Sequence, residues 1–245
     1  MSESSAAIET EEHAEHHEEL SFLYKYILPV DHKMIAMQYM FTGLIMAVIG
    51  GYFSYVFRMQ LAFPGESVPL YGIVGPGEYN MMVTNHGTIM IFWVAMPVLI
   101  AAFGNYLIPL MCGCDDMVFP RLNRLSYQIF LVSALVLILS FFVKGGGFGG
   151  AWTAYPPLSS VPEYSLTDWG ASLWVLAVAL EFVSFLLGGT IGNGLDRWRL
   201  GHVTDFLQLV PVDFPIFNGA DVAINLAVIC FGIDALTRRH GQQDT

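Results

Sequence analysis

The sequence predicts an all-α polytopic membrane protein, with about five transmembrane helices behind a disordered acidic N-terminal tail. Three observations carry this. Of the 245 residues, 55% are hydrophobic and 13% charged, and the mean hydropathy is +0.55, far to the apolar side of soluble domains. The apolar residues collect in stretches of about 20, the length at which a helix crosses the hydrocarbon layer. Lysines and arginines bound most of these stretches rather than interrupting them.

Residues 1–25 form the tail. MSESSAAIETEEHAEHHEEL is polar and holds seven of the 21 acids, so it inflates the net charge of −11. With no helical apolar periodicity it is expected to be disordered. His13, His16 and His17 there have no fixed geometry, and a solvated tail accounts for them. A basic region followed by an apolar core is missing, so no cleavable signal peptide is expected.

The first predicted span runs from Met34 to Phe57, between Lys33 and Arg58. The second, Asn80 to Pro109, carries no charge and one residue that hydrocarbon disfavours, His86. An imidazole at membrane depth needs a partner: a neighbouring helix or a metal such as haem iron. The third span is Leu125 to Val143. The fourth is about Trp169 to Thr190, interrupted by Glu181, which has no evident partner and is expected to snorkel towards the cytoplasmic interface. The fifth is about Phe214 to Ile233, interrupted by Asp221. In lipid every backbone polar group must be satisfied internally, so all five are helices.

Loop charge orients them. Lys25 and Lys33 precede the first span, and Arg121 and Arg124 lie between the second and third. The excess of basic residues on that side puts the N-terminus in the cytoplasm. Arg197 and Arg199 after the fourth span fit the alternation, whereas Arg238 and Arg239 after the fifth break it. No basic patch suits nucleic acid. Cys112 and Cys114 form a lone CxC without a second pair, expected to be packing residues rather than a metal site.

Several ordered blocks then go beyond composition: DHKMIAMQYM at 31–40, Gly50-Gly51 followed by Arg58, and TNHGTIM at 84–90. FGNYLIPLMCGCDDMVFPRLNRLS at 103–126 and GGAWTAYPPLSS at 149–160 continue the series. With these, residues 26–188 resemble the N-terminal four helices of subunit I of the haem–copper terminal oxidases (cytochrome c oxidase). The resemblance implies that His86 is an axial ligand of a low-spin haem and that Arg58 contacts its periphery. It implies that Asn105, Asp116 and Asn123 stand at the cytoplasmic mouth of a proton-uptake path. It also implies a bacterial inner membrane, a respiratory role and other oxidase subunits as partners. The chemistry suits these roles: an imidazole nitrogen binds haem iron, an arginine gives fixed positive charge, and a carboxylate can collect protons. Taken without the resemblance, Arg58 reads as an interfacial anchor, Asp116 as a loop acid, and Trp152 and Tyr155 as an aromatic belt.

A bis-histidine haem needs a second imidazole. The histidines are at 13, 16, 17, 32, 86, 202 and 240, and by the predicted spans only His86 lies in a membrane helix. The family's oxygen-reducing centre needs a further haem ligand and three copper-ligating histidines on later helices, for which the sequence offers no candidates. The expectation is a truncated subunit I without a copper site, holding haem through His86 at most and inactive by itself.

From residue 189 the motifs change. GNGLDR at 192–197, VTDF at 203–206 and FPIFNGAD at 214–221 resemble the C-terminal third of lipoprotein signal peptidase (signal peptidase II), a membrane aspartyl protease. That resemblance implies Asp205 and Asp221 as a catalytic pair, supported by Asn193, Arg197 and Asn218, with a prolipoprotein as substrate and no cofactor. Two close carboxylates cannot both ionise cheaply, so one can take a proton from water while the other donates. Read structurally instead, Asn218 is a natural N-cap with Asp221 three residues on, favouring the helix dipole. The expectation is a chimera joined near Leu187–Thr190, with loose packing between the first four spans and the fifth. A membrane helical protein with neither activity is the third alternative.

Overall fold

The computed structural model describes residues 21–188 apart from 114, 118, 145 and 161–167. The protein is an all-α polytopic membrane protein, and four described helices are long and apolar enough to span a bilayer. They are α1 (His32–Ala62), α2 (Pro76–Met111), α3 (Pro120–Ser140) and α4 (Asp168–Leu186). The fifth predicted span, the tail to residue 20, and Asn193, Arg197, Asp205, Asn218 and Asp221 lie outside the described residues.

The helices start earlier than their apolar cores because each entry is built from polar or cyclic residues. Asp31 precedes α1 and accepts from the Met34 amide at 2.9 Å, satisfying one of the free amides of the first turn. At α2 the chain enters through Pro76, and Glu78 accepts from the Gly75 amide at 2.8 Å, an acid where the helix dipole favours one. Proline at the first position of α3, Pro120, loses nothing, since its missing N–H would have had no partner. The second span is not uniformly wound. It is α-helical over Pro76–Thr88 and Phe103–Cys112 but widened to π winding over Ile89–Ala95 and Pro97–Ala102. Pro97 cannot donate to a carbonyl of the preceding turn, and the wider register surrounds it.

Helix α1 packs along α2 and also against α3, and α3 lies along α4. The Trp174 indole of α4 donates to Thr88 of α2 at 3.3 Å, and Phe182 meets Phe92 edge to face with ring centroids 5.7 Å apart, closing the bundle. Its interior is large and apolar, with Ile35, Met46, Met82, Ile89, Trp93, Phe130 and Leu137 essentially inaccessible. The outward face of α1 shows Phe41, Leu44 and Val48. That is the face a bilayer would wet with lipid.

Small residues decide how close the helices come. A Cβ on Gly50 would sit 3.1 Å from both Ile89 Cγ2 and Met90 Sδ, while one on Gly51 would meet nothing. Of the pair, Gly50 alone permits the close α1–α2 approach.

Candidate functional site

His86 projects from α2 onto that crossing. Its Nδ1 lies 2.9 Å from the Gly50 carbonyl oxygen. A carbonyl can only accept, so Nδ1 carries the hydrogen and Nε2 keeps a free lone pair. This is the arrangement a metal-binding imidazole needs: one nitrogen fixed by a backbone acceptor, the other open for the ion. The edge of Phe57 packs against the ring at a centroid distance of 5.5 Å, and the histidine is half-buried rather than sealed.

The segment after α3 covers the neighbouring residues. Asn85 donates to the Met81 carbonyl at 2.8 Å and to the Phe148 carbonyl at 2.9 Å. Thr84 accepts from the Ala151 amide at 3.0 Å. Trp152 lies 3.5 Å from where a Cβ on Gly87 would be, and it also meets Phe92. The TNHGTIM and GGAWTAYPPLSS blocks, far apart in sequence, therefore meet around His86, and Trp152 packs there instead of standing only in an interfacial belt. Arg58 is exposed on α1, eight residues beyond Gly50 and roughly 12 Å along the axis.

The donor set fits one side of a haem. The other imidazole among the described residues is His32, the first residue of α1. It lies 18 residues before Gly50, roughly 27 Å along the helix, and cannot oppose His86. His32 does correct the sequence reading in one respect: with α1 beginning at His32, His86 is not the sole histidine in a candidate span. Among the described residues no cluster of three or more His, Cys, Asp or Glu could hold a metal ion.

His32 belongs to a second polar centre. It is 1% exposed, its Nδ1 is 3.2 Å from Asp116 Oδ1, and its buried Nε2 has no hydrogen-bond partner. Asp116 Oδ1 also accepts from the Met117 amide at 2.7 Å, and Asn123 donates to Met117 Sδ at 3.3 Å. Two of the three predicted proton-path residues are thus joined through Met117. Asn105 is buried on α2 and makes no hydrogen bond to either. Sequence reading missed His32 as a partner of Asp116; the only signal was its place in the DHKMIAMQYM block.

Glu181 is a further correction. It does not snorkel: the residue is 1% exposed, turned into the α3–α4 seam.

A bundle with four candidate membrane spans and a half-buried histidine whose Nε2 is open at a glycine crossing defines a class, the helical integral-membrane proteins with an imidazole ligand available inside the bundle. Comparison narrows it. The family model for cytochrome c and quinol oxidase polypeptide I matches residues 34–230, and the chain belongs to that family. The chain is 38% identical to the alternative cytochrome c oxidase subunit 1 of Bradyrhizobium diazoefficiens, over 67% of its own length and 27% of the relative's. It is 44% identical to cytochrome c oxidase subunit 1 of Synechocystis over 65% of its length and 27% of the relative's. With the Candida albicans subunit 1 it shares 33% identity over 89% of its length and 40% of the relative's. The chain spans well under half the length of these relatives. The family match runs past residue 188, and the likeness to signal peptidase II finds no support in these comparisons.

Proposed function

We propose that residues 26–188 form the haem-holding helices of a terminal oxidase subunit I, embedded in a bacterial inner membrane with the N-terminus in the cytoplasm. The observation that carries this is the His86 Nδ1–Gly50 carbonyl bond, which leaves Nε2 free on a half-buried ring. His86 would hold haem iron on one face and Arg58 would set charge at the haem's periphery. A haem held there supplies one-electron transfer. The protein's part is to fix the imidazole, which it does with Gly50, Phe57 and the Asn85-anchored segment, and to limit water with Trp152. Asp116, joined to His32 and near Asn123, would collect protons on the cytoplasmic side, with Asn105 deeper on α2.

The lipid bilayer, and other oxidase subunits, are the partners this reading calls for. Oxygen reduction is not assigned to this chain by itself, because its remaining histidines, at 13, 16, 17, 202 and 240, fall outside the predicted spans. The test is the visible spectrum of the full chain purified from haem-supplied cells. A haem absorbance band that His86→Ala abolishes, with helix content unchanged, supports the reading; a band that survives the substitution refutes it.

A second reading rests on the GNGLDR, VTDF and FPIFNGAD blocks. In it residues 189–245 are signal-peptidase-like, the chain is a chimera, and Asp205 with Asp221 cleaves a prolipoprotein, aided by Asn193, Arg197 and Asn218. Cleavage of a lipidated prolipoprotein, lost in Asp205→Asn or Asp221→Asn, would establish it. If neither haem nor cleavage is found, the chain is a helical membrane protein without either activity.

A further inference from the structure

The chain just before α1 is tied back onto that helix. Leu23–Ile27 form one wide π turn, and Gln38 of α1 donates through Nε2 to the Tyr26 carbonyl at 2.7 Å and to the Ile27 carbonyl at 3.3 Å. Arg124, near the start of α3, reaches the Leu28 carbonyl at 3.5 Å. The side chains so held face outward: Phe22 is 70% and Tyr24 55% exposed, and the Phe22 ring packs on Tyr26 with centroids 5.1 Å apart. Tyrosines beside the first turn of a spanning helix suit the headgroup layer, where one end of the ring is apolar and the other wet.

Between this segment and the first turn of α1 lies a cleft of about 250 Å³. Leu28, Pro29 and Met34 give it apolar walls, and Lys25 and Asp31 give it two opposite charges. The Lys25 ammonium stands 5.4 Å from the Tyr26 ring centroid, and among the described residues no carboxylate pairs with it. Asp31 is half-exposed. Its Oδ2 takes the Met34 amide, whereas Oδ1 is 3.8 Å from His32 Nδ1, beyond hydrogen-bond reach. One cation and one carboxylate oxygen are therefore open in the same cleft. From its floor at Met34 a stripe of exposed side chains runs down α1 through Met37, Phe41, Leu44 and Val48, at the three- and four-residue steps that keep one helix face. Met37 to Val48 covers roughly 16 Å, about half of the hydrocarbon layer and so the depth of one leaflet.

We propose that this cleft binds the headgroup of one phosphatidylethanolamine molecule from the leaflet at which α1 begins. The phosphate sits on Lys25, the primary ammonium donates to Asp31, and an acyl chain lies along the Met37–Val48 stripe. The two charges select the headgroup. An anionic headgroup brings no cation for Asp31, and a choline headgroup brings a cation without an N–H to donate to the carboxylate. A free phosphate would leave the stripe uncovered. The site goes beyond the bilayer as a general partner, and it does not involve His86, so its failure would leave the haem reading standing.

Native mass spectrometry of the full chain in detergent, titrated with dioleoyl phosphatidylethanolamine, phosphatidylcholine or phosphatidylglycerol, tests it. The expected result is an adduct with the ethanolamine lipid favoured over the other two by roughly threefold, the size of one half-exposed charged contact. Asp31→Asn should erase that preference and keep the start of α1, because asparagine caps a helix as well as aspartate does. Lys25→Met should weaken all three lipids by roughly fivefold. Equal affinities for the three lipids in the wild-type chain overturn the proposal, as does a preference that survives Asp31→Asn or an unchanged affinity in Lys25→Met. Should a variant fail to fold, a phosphatidylethanolamine with a photoreactive acyl chain gives an independent answer on the wild-type chain. Crosslinks along Met37–Val48 support the site, and crosslinks confined to other helices overturn it.

Discussion

The two main seams of the bundle treat polar groups in opposite ways. At the α1–α2 crossing, His86 donates from one nitrogen to the Gly50 carbonyl, and the other nitrogen keeps its lone pair. At the α3–α4 seam the serines are spent on each other's carbonyls, and the leftover carboxyl of Glu181 is sealed in rather than presented. Both seams use small residues for close approach. On the proposed reading the first seam offers a ligand to a cofactor, whereas the second keeps its polar groups to itself.

The largest effect that bears on this contrast is loss of the guest. His86→Ala should abolish haem absorbance while leaving the helical circular dichroism intact, since the ring is half-buried and its packing partner Phe57 remains. Retained haem would place the ligand elsewhere and dissolve the contrast between the seams.

Next in size is the crossing itself. Gly50→Val would drive a branched side chain into Ile89 and Met90, each 3.1 Å from the Cβ position. Overpacking of this kind costs about 1–3 kcal/mol, and it would also shift the carbonyl that fixes His86. Gly51→Val, whose Cβ meets nothing, should leave thermal stability within about 0.5 kcal/mol. The pair of midpoints in one detergent decides the matter, and equal losses would mean that Gly50 does not mark the contact.

Much of this was legible in the sequence, and the reasons for the rest are physical. The first four spans could be placed because hydropathy is a one-dimensional signal. The starts of the first three moved outward because Asp31, the Gly75–Glu78 pair and Pro120 extend those helices beyond their apolar parts. The π winding of Ile89–Ala102 depends on how Pro97 and the neighbouring helices share space, which no local pattern encodes. His86 stood out as the lone histidine of an uncharged stretch. The partnership of His32 with Asp116 spans 84 residues, and the burial of Glu181 depends on which face of α4 turns inward. Both are products of packing.

A smaller effect is expected at the internal seam. Ser126→Ala removes the hydroxyl that meets Tyr39 and Ser184 and leaves two buried groups with fewer partners. Intramembrane hydrogen bonds average about 0.6 kcal/mol because the separated helices find other partners. Unfolding in mixed detergent should show a loss near that size with haem binding unchanged. Should haem binding fall along with stability, the two seams are coupled and cannot be treated as separate devices.

The smallest effect lies in the loop that closes the first seam. Tyr52 of α1 donates to the Leu70 carbonyl at 3.1 Å. Next to it, burial and then the charge of Glu78 and a hydrogen bond to it push the Tyr71 phenol up to about 12. In the unfolded chain a tyrosine titrates near pH 10. Between about pH 10 and 12 the unfolded chain has therefore lost a proton that the folded one retains, and stability falls as pH rises through that window. Tyr71 is only half-buried, so the slope is shallow, and Tyr71→Phe should flatten it without touching haem or the α3–α4 seam. If alkaline unfolding of Tyr71→Phe tracks the wild type, the loop does not hold the phenol neutral, and the first seam is closed by Tyr52 and the Asn85-anchored segment instead.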